Sequence, residues 1–241
     1  MGYIDLHCHW VAGIDDGAPT IDEGLDMLRA LRDIGFSHVM ATPHMRTGMF
    51  DNDKHDLLEA YRRSADAVAK HNDLPSVGLS SEHHLDDIVF QNLIDGEGLP
   101  YPPSQSAALV EFPNERFPLN YEQRMFELRL KKIRPVLAHP ERYRPVWKDT
   151  RVLDKLLDGG TLLLLDVAAL DGKYGRKTKK AALRMLADGY YYAACSDAHR
   201  TRDVKSVAKG IRELRKIAGD DEAEFMLAQG PHHIIHGTVA D

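Results

Sequence analysis

The sequence has little of several features that define large classes of protein. Its 241 residues include two cysteines, Cys8 and Cys195, which lie too far apart in the chain to suggest a disulfide framework. No apolar run approaches the roughly 20 residues that cross a membrane, and no basic leader with an apolar stretch opens the chain. Acidic residues outnumber basic ones, 37 to 31, and the net charge of −6 argues against binding nucleic acid through charge alone. We therefore expect a cytoplasmic protein that neither inserts into a membrane nor binds nucleic acid.

The apolar residues, 43% of the chain, form short recurrent runs. These runs have the length of strands and fall near residues 3–8, 37–42, 76–81, 106–112, 134–138, 161–166 and 190–195. Segments with helical periodicity separate them, and continuous apolar strands such as 162–165 are typical of parallel strands buried on both faces. The chain shows no repeat, low-complexity segment or linker. The pattern predicts one α/β domain over residues 1–241, folded as an irregular barrel of seven strands.

The first helix is predicted just after Thr20. Apolar residues recur there at spacings of three and four, the period of a helix with one buried face: Ile21, Leu25, Leu28 and Leu31. Thr20 with Glu23 has the pattern of a capping box at the start of that helix.

Histidines and carboxylates follow or close the predicted strands. They are His7, His9, Asp16, His44, Glu82, Glu111, His139, Asp197 and His199. Because the carboxyl ends of parallel strands converge in a barrel, residues as far apart as His7 and Asp197 can meet in one pocket. Imidazoles and carboxylates without paired thiolates suit two or three divalent ions. The sequence therefore predicts a multinuclear metal hydrolase.

The first of these clusters has two parts. His7 and His9 flank Cys8 on a predicted strand, so both imidazoles point to the same face. Asp15 and Asp16 follow in a short loop, where one can bind metal while the other holds a ligand or the turn.

The cysteines argue against the chemistry of cysteine phosphatases. Those enzymes need an arginine six residues after the nucleophilic thiolate, but position 14 is isoleucine and position 201 is threonine. Both cysteines are interpreted as packed strand residues.

Five motifs carry a resemblance to a known family. In chain order they are Asp5–His9 with Gly13–Gly17, Ala41–His44, Val110–Pro113, Ala138–Tyr143 and Ser196–His199. Together they resemble the bacterial tyrosine phosphatases of capsular and exopolysaccharide operons, which belong to the PHP (polymerase and histidinol phosphatase) superfamily. The resemblance extends over nearly the whole chain.

The resemblance implies a distorted seven-stranded barrel of the PHP type with up to three metal ions. One ion would be held by His7, His9, Glu82 and Asp197. Glu82 would bridge to a second ion, also held by Glu111 and His139, and the third would be held by Asp16, His44 and His199. Three divalent ions and four carboxylates leave about +2 before a bridging hydroxide is counted, a sign that attracts phosphate esters. Mn is the first choice of metal, with Fe or Zn as alternatives.

Two arginines are candidates for binding phosphate. Arg142 follows His139 by three residues, and a planar guanidinium grips two phosphate oxygens. The alternative for Arg142 is a surface ion pair with Glu141 or a neighbouring residue. Family members carry a second arginine after the last motif, and here Arg202 is chosen over Arg200.

The expected activity is hydrolysis of phosphotyrosine by a metal-bound hydroxide, on the tail of a bacterial tyrosine kinase that controls polysaccharide export. Met49 and Phe50, after the second motif, either line the mouth for an aromatic substrate or pack within their loop. One rival is a small-molecule phosphatase of the same superfamily, such as histidinol phosphatase. The other is a binding module that keeps the fold without catalysis.

Overall fold

The computed structural model describes residues 2–240, in which strands and helices alternate. The strands are β1 (Tyr3–Cys8), β2 (Phe36–Ala41), β3 (His44–Met45), β4 (Ser76–Leu79), β5 (Glu82–His84), β6 (Ala107–Glu111), β7 (Arg134–Ala138), β8 (Leu162–Asp166) and β9 (Ala193–Cys195). The α-helices are α1 (Ile21–Asp33), α2 (Lys54–Val68), α3 (Asp87–Ile94), α4 (Tyr121–Leu130), α5 (Arg144–Lys148), α6 (Asp154–Asp158), α7 (Ala168–Asp171), α8 (Arg176–Ala187), α9 (Val204–Ala218), α10 (Asp220–Glu224) and α11 (Gly230–His236). Short 3₁₀ turns occupy Pro140–Arg142, Thr150–Leu153 and Thr201–Asp203, and Phe225–Gln229 is π-helical. Within residues 2–240, no helix combines the length and the apolar character needed to span a bilayer.

Each of the seven predicted runs contains a strand, and two short strands that were not predicted, β3 and β5, follow just beyond the runs at 37–42 and 76–81. Thr42 and Pro43 separate β2 from β3, and Ser80 and Ser81 separate β4 from β5. Proline has no N–H to donate to a ladder, so the strand cannot continue unbroken through Pro43. The carbonyl of Pro43 still accepts hydrogen bonds, from the backbone N–H of Glu82 at 3.2 Å and from the hydroxyl of Ser81 at 2.8 Å, where β3 begins to pair with β5. The breaks change which sheet the chain belongs to, since β2 and β3 pair in different sheets.

Both sheets are parallel throughout. One has the order β1-β2-β4, and the other β3-β5-β6-β7-β8-β9. Beyond the end of β9, Cys8 and Ala198 form an isolated parallel bridge, and the N–H of His9 donates to the carbonyl of Ala198 at 3.0 Å. This short contact brings the first and last strands together in place of a full ladder. The fold is therefore a mixed α/β arrangement of parallel strands with the distorted, seven-unit organisation predicted from the sequence.

Strands β6 and β8 are buried at every position, as their continuous apolar character predicts, whereas β4 is buried only at Leu79. Along β8, Leu163 and Leu165 pack into the larger core cluster with the helices, whereas Leu162 and Leu164 pack into a second cluster. That second cluster gathers residues of β1, β6, β7, β8 and β9 together with Ile234 and Ile235 of α11. The core thus fixes the strands from both sides and leaves their carboxyl ends for the site.

Helix α1 begins where the sequence predicts, but two details differ. The Thr20 hydroxyl accepts the N–H of Glu23 at 3.2 Å, which confirms the N-cap. The Glu23 carboxylate does not close the box; it accepts the N–H and the hydroxyl of Thr201 at 3.1 and 3.0 Å. Ile21 is 39% exposed, so its assignment to the buried face is wrong. Leu25, Leu28 and Leu31 are buried as predicted.

Candidate metal centre

The strand ends bring the nine predicted ligand residues into one cluster. Their donor atoms form four overlapping groups: His7, His9 and Asp197; His7, Glu82 and His139; His44, Glu82 and Glu111; and His9, Asp16, His44 and His199. The overlap means that the groups share one contiguous pocket rather than four separate sites. Another acidic group with one histidine, at Asp53–Asp56, is exposed and belongs to the capping box that begins α2.

Glu82 lies at the centre of the cluster. Its Oε2 is 3.1 Å from both His7 Nε2 and His44 Nδ1 and 3.4 Å from His9 Nε2. Its Oε1 is 2.9 Å from His139 Nε2. Glu82 is 1% exposed, and both its oxygens face imidazoles, the geometry of a carboxylate that bridges two ions.

Asp197 forms a second focus beside it. Its Oδ1 lies 3.3 Å from His7 Nε2 and 3.5 Å from both His9 Nε2 and His199 Nδ1. The backbone φ of Asp197 is +42° and that of His139 is +34°, values that residues other than glycine seldom adopt. Left-handed backbone at both positions, each just beyond a strand end, indicates local strain held by the surrounding fold.

The outer part of the cluster is more open. Asp16, whose side chain is 56% exposed, places Oδ1 3.5 Å from His44 Nε2 and 3.4 Å from His199 Nε2. Glu111 Oε1 lies 3.6 Å from His44 Nδ1 and 3.1 Å from His84 Nδ1. The open side at Asp16 gives this part of the cluster access to solvent.

Asp15 plays the supporting role that one of the two neighbouring aspartates was predicted to have. Its Oδ2 lies 2.7 Å from His9 Nδ1 and accepts the N–H of His44 at 3.2 Å, while its Oδ1 accepts the N–H of Gly17 at 2.8 Å. A Cβ at position 17 would collide with the carbonyl of His9, so glycine is required for this close approach. Asp15 thereby orients His9 and leaves its Nε2 to face Glu82 and Asp197.

The electrostatics of the pocket fit divalent cations. Burial acts to raise the pKa of Glu82 and of Asp197, but His7 and His44 around Glu82, and Arg142 and His7 around Asp197, hold both pKa values well below the usual range. Asp197 Oδ1 and His44 Nδ1 lie close to other atoms of the cluster, yet neither makes a hydrogen bond with a described residue. His7 Nδ1 and His139 Nδ1 are also buried without a hydrogen-bond partner among residues 2–240. His7 Nε2 and His9 Nε2 face each other at 3.1 Å. Two imidazole nitrogens facing each other among ionised carboxylates are the donor set of a metal centre.

Burial raises the pKa of both thiols well above the usual cysteine value. Cys8 Sγ lies 3.6 Å from Met27 Sδ, and Cys195 Sγ lies 3.3 Å from the carbonyl of Leu165. Both cysteines are unpaired and fully buried on strands, which confirms their interpretation as packed core residues.

Arg142 is drawn into the site. Its Nη2 donates to the carboxylates of Asp166 and Asp197, and its guanidinium carbon lies 3.9 Å from the centre of the Tyr174 ring. The alternative ion pair with Glu141 does not form. The buried Glu141 instead accepts the N–H of Asp166 and the hydroxyl of Tyr191, each at 3.1 Å, and burial, followed by the Asp166 charge, raises its pKa to about 8.

The two arginines after the last motif have different surroundings. Arg200 donates to the carbonyls of Asp16, Gly17 and His199, so it ties the loop of Asp16 to the chain beyond β9. Arg202 is exposed on the 3₁₀ turn Thr201–Asp203, and its side chain makes no hydrogen bond or ion pair with any described residue. Arg202 is therefore the one whose guanidinium remains available to an anion.

Three residues near the site were not predicted from the sequence: Asp166, Tyr174 and His84. Asp166 and Tyr174 contact Arg142. Asp166 could have been recognised as a site residue from its position at the end of the leucine run of β8. His84 contacts Glu111, whereas the neighbouring His83 points away and hydrogen-bonds Leu109 and Leu99 backbone groups at 2.8 and 3.1 Å. The two histidines differ because successive side chains on a strand face opposite ways.

The loop after β3 reaches the mouth of the pocket. The ring of Phe50 stacks on the imidazole of His44, with centroids 5.1 Å apart and planes 5° from parallel. Met49 is 59% exposed beside it. This segment packs against a candidate ligand and also presents an apolar surface at the opening.

Comparison with known proteins identifies the family. Residues 3–236 match the family described as "Capsular polysaccharide synthesis, CpsB/CapC". The chain belongs to this family. The resemblance carried by the five sequence motifs is thus confirmed.

Similar members of the CpsB/CapC family have named activities. The tyrosine-protein phosphatase YwqE of Bacillus subtilis is 31% identical over 242 residues, covering 98% of this chain and 92% of YwqE. A solved structure from a study of YwqE and of CpsB from Streptococcus pneumoniae, described there as unique metal-dependent tyrosine phosphatases, superposes with a TM-score of 0.89. That match has 27% identity and covers 99% of this chain and 96% of the other.

A more distant match concerns the fold alone. The phosphotriesterase homology protein of Escherichia coli, solved with phosphate in its active site, matches with a TM-score of 0.58 and 13% identity. It covers 97% of this chain and 98% of that one. The arrangement of strands and helices is therefore shared with a wider group of proteins.

Proposed function

We propose that this protein is a metal-dependent phosphatase that hydrolyses phosphotyrosine in proteins. The observation that carries the proposal is the cluster of nine imidazole and carboxylate residues centred on Glu82. Membership in the CpsB/CapC family and the named activity of YwqE support the choice of substrate. We further propose that the substrate is the tail of a bacterial tyrosine kinase in the cytoplasm that controls capsule or exopolysaccharide synthesis.

We propose that the cluster holds two or three divalent ions, with Mn as the first choice and Fe or Zn as alternatives. As the family resemblance implies, His7, His9, Glu82 and Asp197 would hold one ion, Glu82, Glu111 and His139 a second, and Asp16, His44 and His199 a third. The donor groups support the first and third sets, since His7, His9 and Asp197 form one group and Asp16, His44 and His199 lie together in another with His9. Glu111 instead groups with His44 and Glu82, and His139 with His7 and Glu82, so Glu82 links the two proposed ligands of the second ion. When bound, such ions supply positive charge that attracts and polarises phosphate, and they lower the pKa of water toward neutrality.

The protein's own groups position the substrate and the ligands. Arg142 lies beside Asp197 with a planar pair of donors, so it can bind phosphate oxygens next to the metal centre. The Nη2 that donates to Asp197 also donates to Asp166, and the ring of Tyr174 packs against the guanidinium. Asp15 fixes the orientation of His9. Arg202, exposed on the neighbouring turn, is proposed as the second phosphate-binding arginine.

The phenolate leaving group of phosphotyrosine and its aromatic ring need few protein groups. A phenolate is already a fair leaving group, so hydrolysis does not require a general acid, and we assign none. Phe50 and Met49 offer an apolar surface at the mouth where the aromatic ring of the substrate can rest. The buried, neutral thiols of Cys8 and Cys195 take no part.

The proposal is tested by comparing substrates. We expect kcat/KM for a phosphotyrosine peptide to exceed that for histidinol phosphate by at least about 100-fold, a ratio set by differential binding of the two transition states. Phe50→Ala should lower kcat/KM for the peptide more than for histidinol phosphate. A preference for histidinol phosphate would replace the proposal with a small-molecule phosphatase, and the absence of turnover on either substrate would favour a binding module.

A further inference from the structure

A basic groove lies between α5 and α8, outside the metal centre. Its volume is about 640 Å³, within the usual range for ligand sites. Five of its lining residues are basic: Arg144, Lys148, Lys177, Lys180 and Arg184. None of its lining residues is acidic. In a protein with a net charge of −6, this local concentration of positive charge is a specific feature of one surface.

Three of the five charges are free to meet a ligand. Arg144 pairs with Glu115, and Arg184 Nε lies 3.7 Å from Asp188. Lys148, Lys177 and Lys180 have no carboxylate within ion-pair distance among residues 2–240. Unpaired lysines that share a concave surface are repelled by one another, and an anion placed between them relieves that repulsion.

An aromatic ring gives the groove a fixed wall. Trp147 donates its Nε1–H to the carbonyl of Glu141 at 2.8 Å, which holds the indole in place. Lys177 Nζ lies 5.5 Å from the centre of that ring, within the range of a cation–π contact. The groove therefore combines an aromatic surface with lysines that have no carboxylate partner among the described residues, a combination suited to a peptide with both acidic and apolar side chains.

The groove begins close to Arg142. Trp147 follows Arg142 by five residues, and the 3₁₀ turn Pro140–Arg142 packs against α8. Tyr174, whose ring lies against the guanidinium of Arg142, comes two residues before α8 starts. Both helices that line the groove therefore pack against the turn that carries Arg142, which puts the groove beside the position proposed for the phosphate.

We propose that this groove binds acidic residues flanking the phosphotyrosine of the substrate protein. The inference rests on the proposed function, since it takes the same substrate and adds a recognition element beside the site. A concave groove with a tryptophan wall matches a peptide segment better than a flat lipid surface. Peptides with glutamate or aspartate near the tyrosine are therefore preferred over neutral ones.

The test compares two double variants with the same change in net charge. Lys177→Glu with Lys180→Glu reverses two charges in the groove. Lys70→Glu with Lys216→Glu is the control, because Lys70 just after α2 and Lys216 in the last turn of α9 are exposed and outside the groove. Three substrates are assayed: a phosphotyrosine peptide with acidic flanks, the same peptide with glutamine and asparagine flanks, and a chromogenic aryl phosphate.

The groove variant should raise KM for the acidic peptide about tenfold or more, with kcat unchanged, as two reversed exposed pairs would. Turnover of the neutral peptide and of the aryl phosphate should stay within about twofold, because the neutral peptide has no negative charge for the lysines to bind and the aryl phosphate has no flanking residues. The control variant should match the wild type on all three substrates. The wild-type preference for the acidic peptide should also shrink as salt is raised.

Three outcomes for the groove variant would contradict the proposal that the groove binds acidic flanks. They are an unchanged KM for the acidic peptide, equal losses on all three substrates, or loss of binding to anionic lipid vesicles with unchanged peptide kinetics. Binding of the unphosphorylated acidic peptide, followed by fluorescence anisotropy, separates this proposal from the proposed function. If no substrate is hydrolysed, the proposed function fails, while weaker peptide binding by the groove variant alone would still support the groove.

Discussion

Replacing Arg142 with lysine tests whether a planar guanidinium is required at the edge of the metal centre. In the structure one guanidinium nitrogen reaches both Asp166 and Asp197, and the guanidinium carbon lies 3.9 Å from the centre of the Tyr174 ring. Lysine keeps the positive charge but has a single compact head group that cannot stack or offer two parallel donors. We therefore expect Arg142→Lys to be nearly as damaging as Arg142→Ala.

The size of the loss follows from what the guanidinium does. If it binds the phosphate more tightly as charge spreads over the transferring group, its removal lowers kcat as well as kcat/KM. Losing one such contact costs about 3–4 kcal/mol, a factor of about 10² to 10³ in rate. Lysine also leaves either Asp166 or Asp197 without its partner, and both are buried, so some loss of stability is expected.

Steady-state kinetics on an aryl phosphate measures the effect, and thermal unfolding shows whether the variant is folded at the assay temperature. Arg151→Lys is the matched control, because Arg151 is a 75% exposed arginine that pairs with Asp149 on the surface. Its turnover should equal that of the wild type. Near-normal kcat for Arg142→Ala would refute the reasoning and make Arg202 the leading candidate for binding phosphate.

Three further predictions concern residues around the centre. Asp15→Asn should weaken metal affinity about 10- to 100-fold through misorientation of His9, with activity recovering at high metal; an unchanged metal dependence of turnover would contradict this role. Replacing Cys8 and Cys195 with serine should cost stability but leave turnover per folded molecule intact, whereas thiol-specific inactivation with labelling of either cysteine would overturn the mechanism. Burial lowers the pKa of His83 from 6.5 to about 4. Between pH 6.5 and pH 4 this histidine is therefore protonated in the unfolded chain but not in the folded protein, so the stability of the fold decreases as the pH falls through that range. The destabilisation of the metal-free protein by His83→Gln should therefore be about 2 kcal/mol smaller at pH 5 than at pH 7 in urea unfolding, and a pH-independent difference would show that His83 titrates normally.

The strand-end residues of the site were predictable because one geometric rule applies to them all. Parallel strands end at a common edge, so His7 and Asp197 meet although 190 residues separate them. The alternation of a strand also predicts that His7 and His9 share a face. A rule that depends only on strand direction and residue type can be applied without knowing the structure.

Other features depend on contacts that no local pattern records. Asp166 ends the leucine run of β8 but has no neighbouring histidine or glycine to mark it, and its role appears only through Arg142. Glu23 has the spacing of a capping box, yet a bond to Thr201 from the far end of the chain replaces the local one. The spacing that favours Arg202 over Arg200 does not predict that three carbonyls capture Arg200.

The short strands β3 and β5 form a third case. Each begins just beyond a predicted run, and no apolar run of strand length marks it in the sequence. Pro43 shows in the sequence that the backbone ladder of β2 must stop. The pairing of β3 with β5 in the other sheet depends on the hydrogen bonds from Glu82 and Ser81 to the Pro43 carbonyl, which the sequence does not show. Such breaks place the histidine of β3 and the glutamate of β5 side by side.

Metal held by this cluster should be required for hydrolysis of phosphotyrosine. The experiment strips the protein with a chelator, adds back Mn²⁺ in steps, and measures bound metal and peptide turnover on the same samples. We expect turnover to fall to background without metal and to return as two or three ions bind, and we expect Glu82→Gln, which alters the central carboxylate, not to recover. Full turnover by protein shown to contain no bound metal would contradict this expectation.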